Sequence, residues 1–422
     1  MMVFIINLVF FILSFLFLKN RPFSLFVITF FCFQLVVGVG IPFVKLMDML
    51  IGYKMPITGL DVVQWYYIVF SLVFLLFYFF LEFVLEYMGF VGKKYELLVH
   101  PYDKPAFFLL AMFSLFCALV YVSLTGLSFG SSGYESRYEE ARGVGFLIIF
   151  FPAFIPFMVA RFIELDTTQG YFRNIILWLF VGFSTYIILQ GYRQILIAIV
   201  LFVGLFLVNR RVVSSRFLFF GVFILMPSML ISLSFLRYSG EDSTVFTSGL
   251  EAALYFIQGD LFPVDAILKT SIYLEQYTAP GMSVFWEHFY RFVPRILMEN
   301  KPEILMNAAG FYTLEVVGYS RGVTLSPTIL SEGLMISGGW IGVVGLAFFA
   351  SFFCFVYDVI IRTTKKYSVY IFLLSYLYMG FFIVREGLQA GLYRAFLVFL
   401  FFILFLFLRF FVEVLDKGKR YV

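Results

Sequence analysis

The stretch MMVFIINLVFFILSFLFLKNRP, residues 1–22, decides the fold. From Met2 to Leu18 only Asn7 and Ser14 interrupt the apolar run. A helix of about 20 such residues crosses a bilayer. Lys19 and Arg21 follow the run instead of preceding it, and no small-residue cleavage pattern comes after them. The segment therefore reads as a retained span and not a cleaved leader, with its N-terminus outside and Lys19 and Arg21 in the cytoplasm.

The same pattern recurs along the chain. Apolar runs fall at about 2–18, 22–44, 62–88, 105–126, 145–160, 174–190, 194–208, 217–236, 336–357, 367–384 and 395–412. The composition agrees: 62% hydrophobic and 13% charged, with a mean hydropathy of +0.98. Soluble domains carry about 25% charge. The expected fold is an all-α polytopic membrane protein of about 11 transmembrane helices (10–12), behaving as one unit. Alternation from an outside N-terminus puts 19–21, 91–104, 161–173, 209–216, 361–366 and 413–422 inside, and these hold 16 Lys and Arg. The four short outer loops, 45–61, 127–144, 191–193 and 385–394, hold seven. That bias selects this orientation over its reverse.

One connection differs from the others. Residues 237–335 form an outer segment between a first bundle, 1–236 with spans one to eight, and a second, 336–422 with spans nine to eleven. Connections so long are functional or form a small domain. Within TSGLEAALYFIQGDLFPVDAILKTSIYLEQ, residues 247–276, apolar side chains recur at helical intervals, with Pro263 as a break. The segment holds 11 Asp and Glu against six Lys and Arg, so an anion site there must be a local cluster.

The net charge of +4 is spread over the loops without a basic tail, which argues against a nucleic-acid partner. Cys32, Cys117 and Cys354 lie inside apolar runs and read as small buried hydrophobes. His100 and His288 are the only histidines, and no His/Cys or HExxH spacing occurs, so neither a metal nor another cofactor is expected.

Five arginines resist the favoured topology. Arg137, Arg142, Arg193, Arg385 and Arg394 sit in short outer loops between apolar spans. Interfacial arginine is costly, and its planar fork suits phosphate and carboxylate. In WEHFYRFVPRILMENKPEI, residues 286–304, Arg291 and Arg295 would share a face at i, i+4 on a helix and repel unless an anion lay between them. The loop SSGYESRYEEARGVG, 131–145, alternates Glu135, Arg137, Glu139, Glu140 and Arg142 around two tyrosines. It reads either as a self-paired solvated loop or as a sugar site, with aromatics on pyranose faces and Glu139 or Glu140 accepting hydroxyl hydrogen bonds or a proton. His288 is a second candidate base. In GYSRGVTLSPTILSEGLMISGGWIGVVGLAFFASF, 318–352, Arg321 leads to Glu332 at the entry to an apolar helix. Glu332 reads either as a first-turn carboxylate favoured by the helix dipole or as a cavity group that orients an arginine or a sugar hydroxyl.

This arrangement resembles the Wzy O-antigen polymerases, also called oligosaccharide repeat-unit polymerases. The resemblance rests on the many spans, the long late outer loop, GYRQILIAIVL from Gly191, the Pro294–Arg295 and Lys301–Pro302 turn, and Pro327–Glu332–Gly339. It covers most of the chain as architecture and a short part as motif. It implies a multi-pass enzyme of the bacterial inner membrane in lipopolysaccharide assembly, similar to class C glycosyltransferases, with a periplasmic active site, a large periplasmic loop and no metal. The implied donor is a glycan on undecaprenyl diphosphate, the acceptor the terminal sugar of another lipid-linked repeat unit. A chain-length regulator and a flippase are the implied protein partners. Arg137, Arg142, Arg193, Arg291, Arg295, Arg321, Arg385 and Arg394 would then hold substrate, and Glu139, Glu140, His288 and Glu332 are the candidates for proton transfer and orientation. The odd span count departs from a family whose termini often both lie inside. The alternatives are a flippase or transporter for the same lipid-linked sugar, for which the chain lacks paired halves, and an O-antigen ligase, whose expected histidine-centred loop WEHFYR matches poorly.

Overall fold

A computed structural model describes residues 2–51, 57–89, 97–126, 146–165, 168–188, 194–210, 254, 257–259, 262–293, 298, 305–318 and 325–419. In hydrocarbon every backbone N–H and C=O must be satisfied within the chain, so the apolar runs close into helices. No β-strand occurs among the described residues; one isolated bridge joins Leu98 to Lys366.

Helix α1 spans Met2–Asn20. Helix α2, Leu25–Phe33, passes through a π-helical turn, Gln34–Gly38, into α3, Gly40–Ile51. Helices α4, Ile57–Tyr87, and α5, Asp103–Thr125, follow. Next come the short α6, Phe146–Ile149, a 3-10 turn, Phe151–Phe154, and α7, Ile155–Glu164. Helices α8, Thr168–Ile188, and α9, Gln194–Asn209, complete the first part.

Among the described residues, seven helical stretches are long and apolar enough to cross a membrane, and they fall on seven of the expected spans. The expected spans at 2–18, 174–190 and 194–208 fall on α1, α8 and α9. The one at 217–236 lies outside the described residues.

The segment expected outside supplies α10, Val264–Gln276, capped by Pro263, then α11, Ser283–Trp286, and a 3-10 turn, Glu287–Phe292. Helix α12, Ala308–Phe311, runs into a second π-helical turn, Tyr312–Val316. Ala266, Val284, Ala308, Phe311 and Tyr312 form a small core with Met335. That residue belongs to α13, Thr328–Ser337, which precedes the long α14, Gly339–Thr363. The expected span 367–384 is two helices, α15, Tyr367–Ser375, and α16, Met379–Glu386. The break at Tyr376–Tyr378 is buried, where neighbouring helices can satisfy freed backbone groups. Helix α17, Leu388–Lys419, ends the described chain.

Burial ranks these helices. The apolar stretches in Leu25–Leu50 and Tyr367–Glu386 are 83% buried, against 22% for Leu388–Lys417. The α2–α3 arm and the α15–α16 pair thus form the centre, and α17 turns Phe399, Phe407 and Phe410 outward. Glycine allows the central helices to touch: a Cβ on Gly380 would sit 2.8 Å from Thr29 Oγ1.

Polar contacts gather the expected inside segments at one end of the bundle. Lys104 pairs with Glu164 at 3.3 Å, and Arg210 donates to the Ile163 carbonyl at 3.4 Å. Asp103 pairs with Arg409 at 3.4 Å, and Tyr102 donates to Asp416 at 2.8 Å. Glu82 holds Arg21 at 2.8 Å and Arg362 at 2.7 Å. The buried Asp358 accepts from Ser24 Oγ, the Leu25 amide and the Tyr78 hydroxyl, so it caps α2 from another helix.

The α13–α14 hairpin depends on backbone contact. A Cβ on Gly342 would lie 1.9 Å from the Gly333 carbonyl oxygen, whereas one on Gly345 would meet nothing within 4 Å. Gly342→Ala should therefore lower the melting temperature of the purified protein, at a cost of about 1–3 kcal/mol. Gly345→Ala on the same helix should leave it unchanged. Equal melting temperatures for the two variants would show that the hairpin does not need this close approach.

Candidate functional site

Helix α13 is ten residues long, about 15 Å, and too short to cross a bilayer. It begins at Pro327, and the next residue, Thr328, has φ +73°. This left-handed conformation is an outlier for a β-branched residue. Thr328 is fully buried, and its hydroxyl lies 3.2 Å from Ser331 Oγ.

One turn on is Glu332, fully buried. It is not a first-turn carboxylate of its own span. Its Oε2 accepts the Leu388 amide at 2.5 Å and its Oε1 the Gln389 amide at 3.2 Å. These are the first two N–H groups of α17, donors that no turn of their own helix can satisfy. Both carboxyl oxygens thus act as acceptors, at the positive end of a helix dipole. Burial pushes the Glu332 carboxyl up from the ordinary carboxylate range, and the two amide donors pull it part of the way back. The expectation that Glu332 orients an arginine takes an indirect form: it holds the backbone just after Arg385 and Glu386. Gly387, between, has φ +103°, and a Cβ there would lie 2.5 Å from Glu332 Oε2. Only glycine meets both conditions.

The same elbow carries Arg394. It is 6% exposed. Its Nη1 donates to the Ala390 carbonyl at 2.9 Å, its Nη2 reaches Glu386 at 3.1 Å, and the guanidinium lies 3.8 Å from the centroid of the Phe382 ring. Arg394 thus braces α16 against α17, and Glu386 neutralises it. Arg385, half-buried, is in the last turn of α16.

One amide, that of Gln389, joins this elbow to the segment expected outside. In the orientation that satisfies both its polar atoms, the Gln389 amide donates to the Val284 carbonyl at 2.9 Å and accepts from the Ala308 amide at 3.2 Å. Asn307 caps α12 by accepting from the Gly310 amide at 2.9 Å. Its Nδ2 therefore donates to His288 Nδ1, 3.0 Å away. The neutral His288 ring then carries its proton on Nε2, which makes that nitrogen a donor and not a base. The ring is 4% exposed and meets the Tyr393 ring edge to face at 5.1 Å.

The structure thus brings Glu332, Arg385, Arg394 and His288 to one end of the bundle. Sequence reasoning missed Asn307, Gln389, Gly387 and Thr328. The N-capping preference of asparagine ahead of Ala-Ala-Gly could have marked Asn307. The helical spacing expected of Arg291 and Arg295 is interrupted, because Val293 is extended. Arg137, Glu139, Glu140, Arg142, Arg193, Arg295 and Arg321 lie outside the described residues, as does the side chain of Arg291. No group of three His, Cys, Asp or Glu side chains placed to hold a metal ion occurs among the described residues.

The family described as WzyE protein, O-antigen assembly polymerase, matches residues 106–417. The chain belongs to this family. The match runs from α5 into the last turn of α17, so it includes the α13 carboxylate, the segment 237–335 and the α16–α17 elbow. An O-antigen polymerase is a glycosyltransferase-type enzyme, and the membrane-length helices fit that role in lipopolysaccharide assembly. No solved structure matches the chain.

Proposed function

We propose that this polymerase lengthens a surface polysaccharide on a lipid carrier. The donor is a glycan on undecaprenyl diphosphate, and the acceptor is the terminal sugar of a second lipid-linked repeat unit. The acceptor hydroxyl oxygen bonds to the anomeric carbon, the bond from that carbon to the diphosphate breaks, and the hydroxyl proton passes to a base. Negative charge grows on the leaving diphosphate, and preorganised guanidiniums stabilise it without reorganising. Arg385 supplies one of them. Arg137, Arg142, Arg193, Arg291, Arg295 and Arg321 are the further candidates from the outer loops. Glu139 and Glu140 are the candidate bases, since His288 already accepts a hydrogen bond at Nδ1.

The observation that carries this reading is the grip of Glu332 on the first amides of α17. It fixes the arginine-bearing elbow, and the Gln389 amide ties that elbow to the outer segment. A site that must hold two large lipid-linked substrates in register needs such a rigid base.

The test is a strain lacking the chain, with its lipopolysaccharide resolved on a gel. The expected result is loss of the ladder, with one repeat unit still attached to lipid A core. Complete absence of O-antigen would indicate a flippase or a ligase instead. Reporter fusions test the orientation: a fusion near residue 270 should be active in the periplasm and one near 213 in the cytoplasm, from the 16-to-7 bias of basic residues. Finding both on one side would overturn the loop assignment.

A further inference from the structure

At the end of the bundle marked by the Lys104–Glu164 and Arg409–Asp103 pairs, a cleft of about 450 Å³ opens beside α7 and α8. It is lined by Phe157, Arg161, Arg173, Asn174, Leu177 and Trp178. By the distribution of basic residues, this end faces the cytoplasm. It is remote in the chain from the α13 carboxylate and the α16–α17 elbow.

The lining divides into two chemistries. Arg161 and Arg173 are exposed at the cleft. Arg161 lies 3.9 Å from Glu164, which Lys104 also contacts at 3.3 Å, and Arg210 reaches the neighbouring Ile163 carbonyl. Among the described residues, two cations therefore contact the Glu164 carboxylate, and a third lies on the adjoining carbonyl. Phe157, Leu177 and the Trp178 ring make the other part of the wall apolar.

Trp178 adds an independent observation. Its side chain is 7% exposed, stacked on Phe154 at 5.7 Å with Phe157 edge-on at 6.3 Å. Its indole Nε1–H is buried and has no hydrogen-bond acceptor. Indole is a donor only, and buried donors are nearly always paired. The Asn174 amide is turned away, donating to the Gly170 carbonyl of its own helix at 2.8 Å. Arg161 and Arg173 thus present donors at the cleft, and the unpaired Trp178 donor is buried in its wall. Its ligand must offer acceptors and negative charge at the mouth, a further acceptor deeper in, and a hydrocarbon part.

We propose that this cleft binds an anionic phospholipid of the cytoplasmic leaflet. Its phosphate lies between Arg161 and Arg173, and an acyl chain runs along Phe157 and Leu177. An ester carbonyl accepts from Trp178 Nε1–H. The spacing fits, because Trp178 is five residues beyond Arg173, about 7.5 Å along the helix. Ester carbonyls lie a similar step below the phosphate in a glycerophospholipid.

The test uses the purified full-length protein in detergent, with thermal melting and native mass spectrometry as readouts. The probes are dioleoylphosphatidylglycerol, dioleoylphosphatidylcholine and inorganic phosphate. Phosphatidylglycerol is expected to raise the melting temperature by several degrees and to stay bound, while phosphatidylcholine and inorganic phosphate do neither. Arg161→Gln with Arg173→Gln should reduce phosphatidylglycerol occupancy about tenfold, the loss of two charge-assisted contacts at 1.4 kcal/mol per decade. Trp178→Phe keeps the stack on Phe154 and removes only the donor. It should weaken binding several-fold while leaving the lipid-free melting temperature unchanged, which separates a lost contact from a lost fold. Equal protection by inorganic phosphate would overturn the lipid in favour of a free anion. Equal protection by phosphatidylcholine would overturn the role of the arginines. Undiminished phosphatidylglycerol binding in both variants would overturn the site.

Discussion

Glu332→Ala abolishes the lipopolysaccharide ladder and lowers the melting temperature of the purified protein. That is the expected result of removing the acceptor for two buried amides, Leu388 and Gln389. Each N–H left buried without an acceptor costs about 1–3 kcal/mol. The start of α17 then loosens, and with it the Gln389 bridge to Val284 and Ala308. Glu332→Gln should do little better, since its amide NH₂ would point at a backbone donor. Glu332→Asp keeps the carboxyl group one methylene short and should restore part of the ladder. Gly387→Ala should reproduce the Glu332→Ala phenotype from the other side, as its Cβ would displace the same carboxylate. The double variant should be less damaged than the sum of the two single ones, because they share the Glu332 contact, while the positive φ at Gly387 adds its own strain. A Glu332→Ala protein with parental melting temperature and a full ladder would remove this carboxylate from the account of the site.

The features of this chain legible in its sequence are those fixed by local composition. The long apolar runs announced α4, α5, α14 and α17, because a helix is the way to satisfy a backbone in lipid over such lengths. The basic residues marked which loops belong together, and the Lys104–Glu164 pair and the Tyr102–Asp416 hydrogen bond join loops that share a predicted side. The break at Tyr376–Tyr378 was not legible, since FLLSYLYMGFF has no proline and its one glycine follows the break. It exists because tertiary packing, such as the Tyr376 hydroxyl on the Pro152 carbonyl, outweighs local propensity there.

The site was legible as residue types and not as partners. Glu332 stood out as a lone carboxylate in an apolar stretch, but its partners are 56 and 57 residues away in the chain. No periodicity reaches so far. The interrupted spacing of Arg291 and Arg295 was within reach of the sequence: Pro294 disfavours helical backbone at the residue before it, and Val293 is indeed extended. The protonation of His288 was beyond reach, because it follows from which way the Asn307 amide is held by the Gly310 N–H.

Arg385 and Arg394 are expected to fail in different ways, and that difference tests the diphosphate clamp. Arg394 is occupied by the Ala390 carbonyl, Glu386 and the face of Phe382. Arg394→Ala leaves the Glu386 carboxylate without this partner and exposes the brace between α16 and α17. It should lower both the melting temperature and the amount of protein in the membrane, and chain growth with them. Arg394→Lys should recover little, because an ammonium is a point charge that cannot serve a carbonyl, a carboxylate and a ring face together. Arg385→Ala should instead stop or severely slow polymerisation while costing less stability than Arg394→Ala, as expected of a group that meets substrate. Arg385→Lys should retain a fraction of the activity, since the charge survives without the bidentate fork. Arg193→Ala and Arg295→Ala should behave like Arg385→Ala if the outer loops complete the clamp. The assay is purified enzyme with lipid-linked repeat units, and the product ladder should form undiminished in excess chelator, because guanidiniums supply the positive charge at the leaving group. Full polymerisation by the Arg385→Ala, Arg193→Ala and Arg295→Ala enzymes would remove the clamp. Arrest by chelator with rescue by magnesium would move the stabilising charge to a metal, and Glu139 and Glu140 would become candidate ligands for it in place of sugar contacts.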